Sequence, residues 1–166
     1  MARGALAGFL ATVPMTAAMT LMHHRLPGDA PGPLPPVAIT RGPLRRAGRA
    51  RRNGTPAPIP VNLAPLTLAA HFGYGAVTGA LWPLWRRAWG QESGGRVDSG
   101  AAFGLAVWGA SYLGWVPAMG LLPPVGRHAA GRVGLMLAAH LVWGVALAAA
   151  DRDLAPQPSG ACRTRR

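Results

Sequence analysis

Leu68-Ala69-Ala70-His71-Phe72-Gly73-Tyr74-Gly75 returns later in the chain as Leu137-Ala138-Ala139-His140-Leu141-Val142-Trp143-Gly144. Both copies lie inside long apolar runs, so the imidazoles of His71 and His140 stand in the middle of segments that read as membrane-spanning helices. A matched His, aromatic and Gly in two such segments suggests a two-helix unit used twice.

Working outward, four stretches lack Asp, Glu, Lys and Arg. A hydrocarbon core of about 30 Å needs roughly 20 helical residues, and each stretch is near or above that length. The expected fold is therefore all-α: an integral membrane four-helix bundle with spans at about 4–22, 63–85, 100–122 and 133–150, arranged as two repeated helical hairpins. One membrane domain, 1–154, would carry an Arg- and Pro-rich loop at 23–61 and be followed by a disordered polar tail at 155–166. The mean hydropathy of only +0.20 reflects the Arg-rich stretches between the spans.

The net charge of +12 comes from seventeen Arg and no Lys against five acidic residues. On a soluble domain that balance would suggest nucleic acid. Arginine set between apolar helices instead reads as topology signal and contact with anionic headgroups of the bilayer, so no nucleic-acid partner is expected. Trp82 and Trp85 beside Arg86 and Arg87 look like a headgroup boundary at the end of the second span, as do Arg45 and Arg46 in the first loop. Cys162 is the single cysteine, which excludes an intramolecular disulfide and a thiolate cluster.

Small residues recur at helical spacing. Gly4, Gly8, Thr12, Thr16 and Thr20 form one stripe, and Gly100 with Gly104 repeats its opening. Gly75 and Gly79 follow His71, and Gly144 follows His140, at four-residue steps. Such faces let backbones approach closely, and the threonines offer hydrogen bonds between helices. The same faces suit a homo-oligomer or a membrane partner. In the first loop a short interfacial helix from Pro36 competes with a flexible loop, and Gly42-Pro43 favours the loop. Asp98 and Ser99 offer oxygens to the amides that open the third span, and Pro123-Pro124 closes it.

If the hairpin is duplicated, the second and fourth spans run the same way and bring His71 and His140 to nearly the same depth. Three readings of the pair follow. Each imidazole bonds across a helix contact, to Ser111, Tyr112, a threonine of the first span or a freed carbonyl; or the pair, with Tyr74 nearby, senses or relays protons; or it ligates haem from two sides. No metal site is otherwise suggested and no cofactor is required. No carboxylate lies in any span, which argues against a coupled transporter. No nucleophile motif or phosphate-binding loop is present, so no enzyme is expected. Eight Arg fall on the side of the termini and nine on the other, leaving orientation undecided.

The opening Gly-x-x-x-Gly span, Leu34-Pro35-Pro36 with Ile39-Thr40, Ala70-His71-Phe72-Gly73-Tyr74-Gly75, Phe103-Gly104-Leu105-Ala106-Val107-Trp108, and Ala139-His140 with Trp143-Gly144 together resemble the YagU-like family of small bacterial inner-membrane proteins. The likeness covers most of the chain apart from its tail. It implies a multi-pass protein of the bacterial inner membrane with a loose link to acid resistance. It brings no catalytic residues.

Overall fold

The computed structural model describes residues 1–25, 35–51, 62–90 and 96–156, with residues 35 and 45–51 as backbone only. Among these residues the structure is all-helical, without strands. The elements are α1 (Ala2–His23), α2 (Pro35–Arg51), α3 (Ala64–Ala80), α4 (Trp82–Ala88), α5 (Val97–Trp108), a π-helical segment (Gly109–Trp115), α6 (Val116–Ala118), a 3-10 turn (Val125–Arg127) and α7 (Ala130–Asp153). The tail beyond Pro156, expected to be disordered, lies outside the described residues.

α1 is central, packing on α3 along one side and on α7 along the other, while α7 also packs on α5. Side chains close the remaining side: Tyr74 of α3 rests on Trp115, with ring centroids 5.9 Å apart, and Trp82 and Trp85 each lie 5.4 Å from the Phe103 ring. The glycines set the spacing of the two close pairs. A Cβ placed on Gly8 would strike the Gly75 carbonyl and the Gly79 Cα, and one on Gly104 would strike the His140 carbonyl. In membrane helices, where lipid tails are as apolar as leucine, such close approach is what holds a pair together.

The threonine stripe behaves differently from expectation. Thr12, Thr16 and Thr20 each donate to the carbonyl four residues earlier in α1, at 2.8, 2.7 and 2.9 Å. A hydroxyl that reaches its own helix needs no neighbour, and Thr20 is exposed. Only Thr12, fully buried against Gly75, belongs to the packed face.

Two expected spans are interrupted helices. The second breaks at Leu81 because Pro83 has no amide for the Gly79 carbonyl and crowds it; Leu81 turns tightly instead, its N–H donating to Thr78 O at 3.0 Å. The third widens into the π segment ahead of Pro117, where the Val116 N–H reaches back five residues to Ser111 O. It also ends earlier than 122. Gly120 takes φ +63°, its N–H donates to Pro117 O at 2.8 Å, and the Leu121 N–H donates to Val116 O at 3.0 Å. That is a Schellman closure, which glycine permits, so Pro123-Pro124 follows the stop and does not cause it.

The first loop also corrects the expectation, since Gly42-Pro43 does not cut α2. Pro35 and Pro36 occupy its first turn, where a missing N–H costs nothing. Ala38 and Ile39 pack against the core, and Gly42 lies near Leu121. Tertiary contact offsets the bond lost at Pro43.

At the start of α5, Asp98 accepts the Ser99 amide at 2.9 Å and pairs with Arg96 at 2.8 Å. The Arg96 hydrogen bond, then that of the Ser99 amide, draws its carboxyl from the ordinary 3.8 down to about 2. The sign follows: this stabilisation of the first turn is complete above the ordinary carboxylate range and is lost as pH falls through about 2. An NMR titration of the Asp98 carboxyl should locate its midpoint there, and D98N should remove it.

α1 and α7 are long and apolar enough to cross a membrane. Large apolar side chains face outward: Leu6, Phe9, Leu10 and Val13 on α1, and Leu141, Val142 and Val145 on α7. The interior holds Thr12, Ser99, Ser111, His140, Arg86 and Asp151.

Candidate functional site

Between α1, α3, the π segment and α7, with α2 at one end, lies a cavity of about 230 Å³. His71 and His140 both line it, together with Thr12, Tyr74, Ser111, Tyr112, Met15, Met136 and Trp143. The residues singled out from sequence as a polar site therefore meet around one space, although their bonding differs from the partners expected.

His140 is buried, and its Nδ1 lies 2.8 Å from the Met136 carbonyl in its own helix. A carbonyl only accepts, so Nδ1 carries the hydrogen; in the neutral ring the lone pair then sits on Nε2. His71 contributes a buried Nε2 with no hydrogen-bond partner. Neither ring bonds across a helix contact to Ser111, Tyr112 or a threonine of α1. Ser111 is engaged elsewhere: it donates to Val107 O at 2.5 Å and lies 2.6 Å from the Tyr74 hydroxyl. Having spent its only hydrogen on the carbonyl, Ser111 accepts from Tyr74. Tyr112 stacks on Trp108 at 5.8 Å and contacts the His128 ring at 5.4 Å.

A second cavity of about 460 Å³ adjoins the first on the α2 side, lined by Thr16, Met19, Thr20, Arg41, Asn62 and neighbours. Pro36, Thr67 and His71 line both. His71 thus stands between an outer vestibule and the inner cavity that His140 faces.

The two histidines are not equivalent in their helix pairs. Gly79 meets the Gly4 carbonyl and Gly8 amide as Gly144 meets those of Gly100 and Gly104. Measured from those crossings, His140 stands where the first pair has Gly75, and His71 lies one turn further along, about 5.4 Å. The equal depth expected from sequence becomes a one-turn stagger, because backbone contact at glycine decides the register.

The opposite end carries a cluster that sequence reading missed. Asp151, 1% exposed, accepts from Arg3 Nε at 2.6 Å, Arg86 Nη1 at 2.8 Å and Trp82 Nε1 at 3.2 Å. It ties the start of α1, α4 and the end of α7 together. Arg86 and Trp82 are therefore interior residues, not headgroup contacts: both are buried in α4, beyond the break at Leu81, where the Asp151 carboxylate compensates the guanidinium. Trp85 is half-buried and donates to Ser99 Oγ at 3.2 Å, so it too is engaged inward. Arg87 is exposed. The side chains of Arg45 and Arg46 lie outside the described residues. Trp143 adds a further buried bond from α7 to α1, donating to Gly8 O at 3.1 Å.

Neither family models, nor curated proteins, nor solved structures give a match to this chain.

Proposed function

We propose that this is a multi-span membrane protein in which His71 and His140 accept protons delivered from the vestibule, so that the bundle senses or relays protons. The observation that carries this reading is the place of His71, a half-buried residue whose buried Nε2 has no partner, lining both cavities. A neutral imidazole there offers a lone pair to an entering proton, and His140 offers another on the inner cavity, its ring held by Met136. Ionisable side chains inside spans commonly mark proton paths.

Lipid as the surrounding solvent is supported by the outward Leu, Phe and Val of α1 and α7. Four passes follow if α3 with α4, and α5 with the π segment and α6, also cross. Broken helices are tolerated where they line a cavity, and the π segment lines the first one. Two hairpins related by duplication, a place in the bacterial inner membrane and a role in acid resistance come with the YagU-like resemblance and belong to the same proposal.

The experiment is proton entry into vesicles containing the purified protein and an internal pH dye. The H71Q/H140Q variant keeps side-chain volume and hydrogen bonding but cannot titrate. Proton entry should fall to that of empty vesicles. Entry equal to wild type in the folded variant would sink the proposal.

A further inference from the structure

The proton reading uses the two histidines and leaves a second regularity of the same space unexplained. Met15 and Met136, both buried, line the inner cavity with the imidazoles, and Met19, also buried, lines the vestibule on the far side of His71. Met15 and Met19 are one turn apart on α1. We infer that the inner cavity is a binding site for a cuprous ion, ligated by the imidazoles of His71 and His140 and the thioethers of Met15 and Met136, with Met19 at its entrance. The inference rests on the four side chains that share the lining of this cavity and not on proton transfer.

Donor chemistry selects the ion. Thioether sulfur is a soft ligand that suits Cu(I), and imidazole serves copper as well as zinc. No group of three or more His, Cys, Asp and Glu occurs among the described residues, so the hard or borderline sets that hold calcium, magnesium or structural zinc are not found there. Four neutral donors leave the monovalent charge of Cu(I) less costly to enclose than a divalent one. The rings are also prepared for ligation. The Nδ1–H of His140 is held by the Met136 carbonyl, the outer-shell bond that orients a ligating histidine and directs Nε2 at the metal. The Nε2 of His71 is buried and has no other partner. Since an imidazole must be neutral to ligate, protons and Cu(I) compete for the same lone pairs, and acidification should release the metal.

The test is anaerobic titration of the detergent-purified full chain with Cu(I) against the coloured chelator bicinchoninate. The wild type should withdraw about one Cu(I) per chain, with weaker retention at lower pH and no displacement by Zn(II). H71Q/H140Q should lose retention. M15L/M136L, which preserves side-chain volume, should also lose it while leaving proton entry into vesicles unchanged; that separates this inference from the proton reading, which only the histidine variant tests. X-ray absorption of the loaded wild type should show nitrogen and sulfur together in the first shell, a readout independent of whether any variant folds. The exposed end of α1 supplies the control, since His23 and His24 are adjacent, with ring centroids 6.4 Å apart. Retention lost in H23Q/H24Q but kept in H71Q/H140Q would overturn the assignment. So would a first shell without sulfur, or a Soret band in the purified protein, which would give the imidazoles to haem.

Discussion

Asp151→Asn should lower the stability of the folded chain in detergent by about 3–5 kcal/mol, the range for removing one partner of a buried ion pair. The substitution is nearly isosteric and still accepts from the Trp82 indole, so the loss is electrostatic. It leaves Arg86, whose side chain is 9% exposed, without the carboxylate at 2.8 Å that compensates its burial. Arg3 is different. Its side chain is 38% exposed, so solvent already screens much of that pair. Arg3→Ala should therefore cost at most about 1 kcal/mol. The two unfolding transitions, followed by tryptophan fluorescence, should separate clearly. Equal losses would mean that Arg86 has solvent access, and no loss in D151N would mean that the cluster does not bind the helix ends together.

The second large effect concerns the glycine crossings. Gly8→Ala and Gly144→Ala should each destabilise by about 1–3 kcal/mol or more. In both cases the added methyl falls closer than 3.0 Å to backbone of the facing helix: the Gly75 carbonyl and Gly79 Cα for Gly8, the Gly100 carbonyl for Gly144. No flexible side chain can yield there, so the helices must part. Gly73 and Gly134 have nothing within 4 Å of the same built methyl. Alanine at those exposed helical positions should stabilise by about 0.5–1 kcal/mol through helix propensity. Circular dichroism melts of the four variants in one detergent decide the matter. Similar behaviour in all four would show that the crossings are not in close contact. Because these glycine faces meet inside the chain, any partner must be held by another surface.

The helical class, the glycine spacing and the convergence of His71 and His140 on one space were legible because each is a local periodicity. Four-residue steps put small residues on a stripe and the histidines on the same face. What escaped was non-local. Trp82 and Arg86 read as part of an interfacial belt because aromatic and basic neighbours look the same whether they point to headgroups or to Asp151, sixty-five residues from Arg86. Pro83, two residues beyond Leu81, was the available signal: the helix is interrupted there, and Trp82 and Arg86 beyond the break are buried. Likewise Gly42-Pro43 suggested a loop because a local breaker was weighed without the α3 and Leu121 surfaces that hold α2. The stagger of the histidines could not be seen at all in an alignment of two octapeptides, since register is set by which glycine carbonyls meet.

The bond network around Asp151 also orders events in time. Arg3 emerges first and Arg86 midway, but the carboxylate that pairs with both belongs to α7, the last helix among the described residues. Until α7 is threaded alongside α1, the nascent chain must keep two guanidinium groups hydrated or parked on phosphate. Assembly is thus latched by α7, since a chain lacking that helix lacks the carboxylate that Arg3 and Arg86 share.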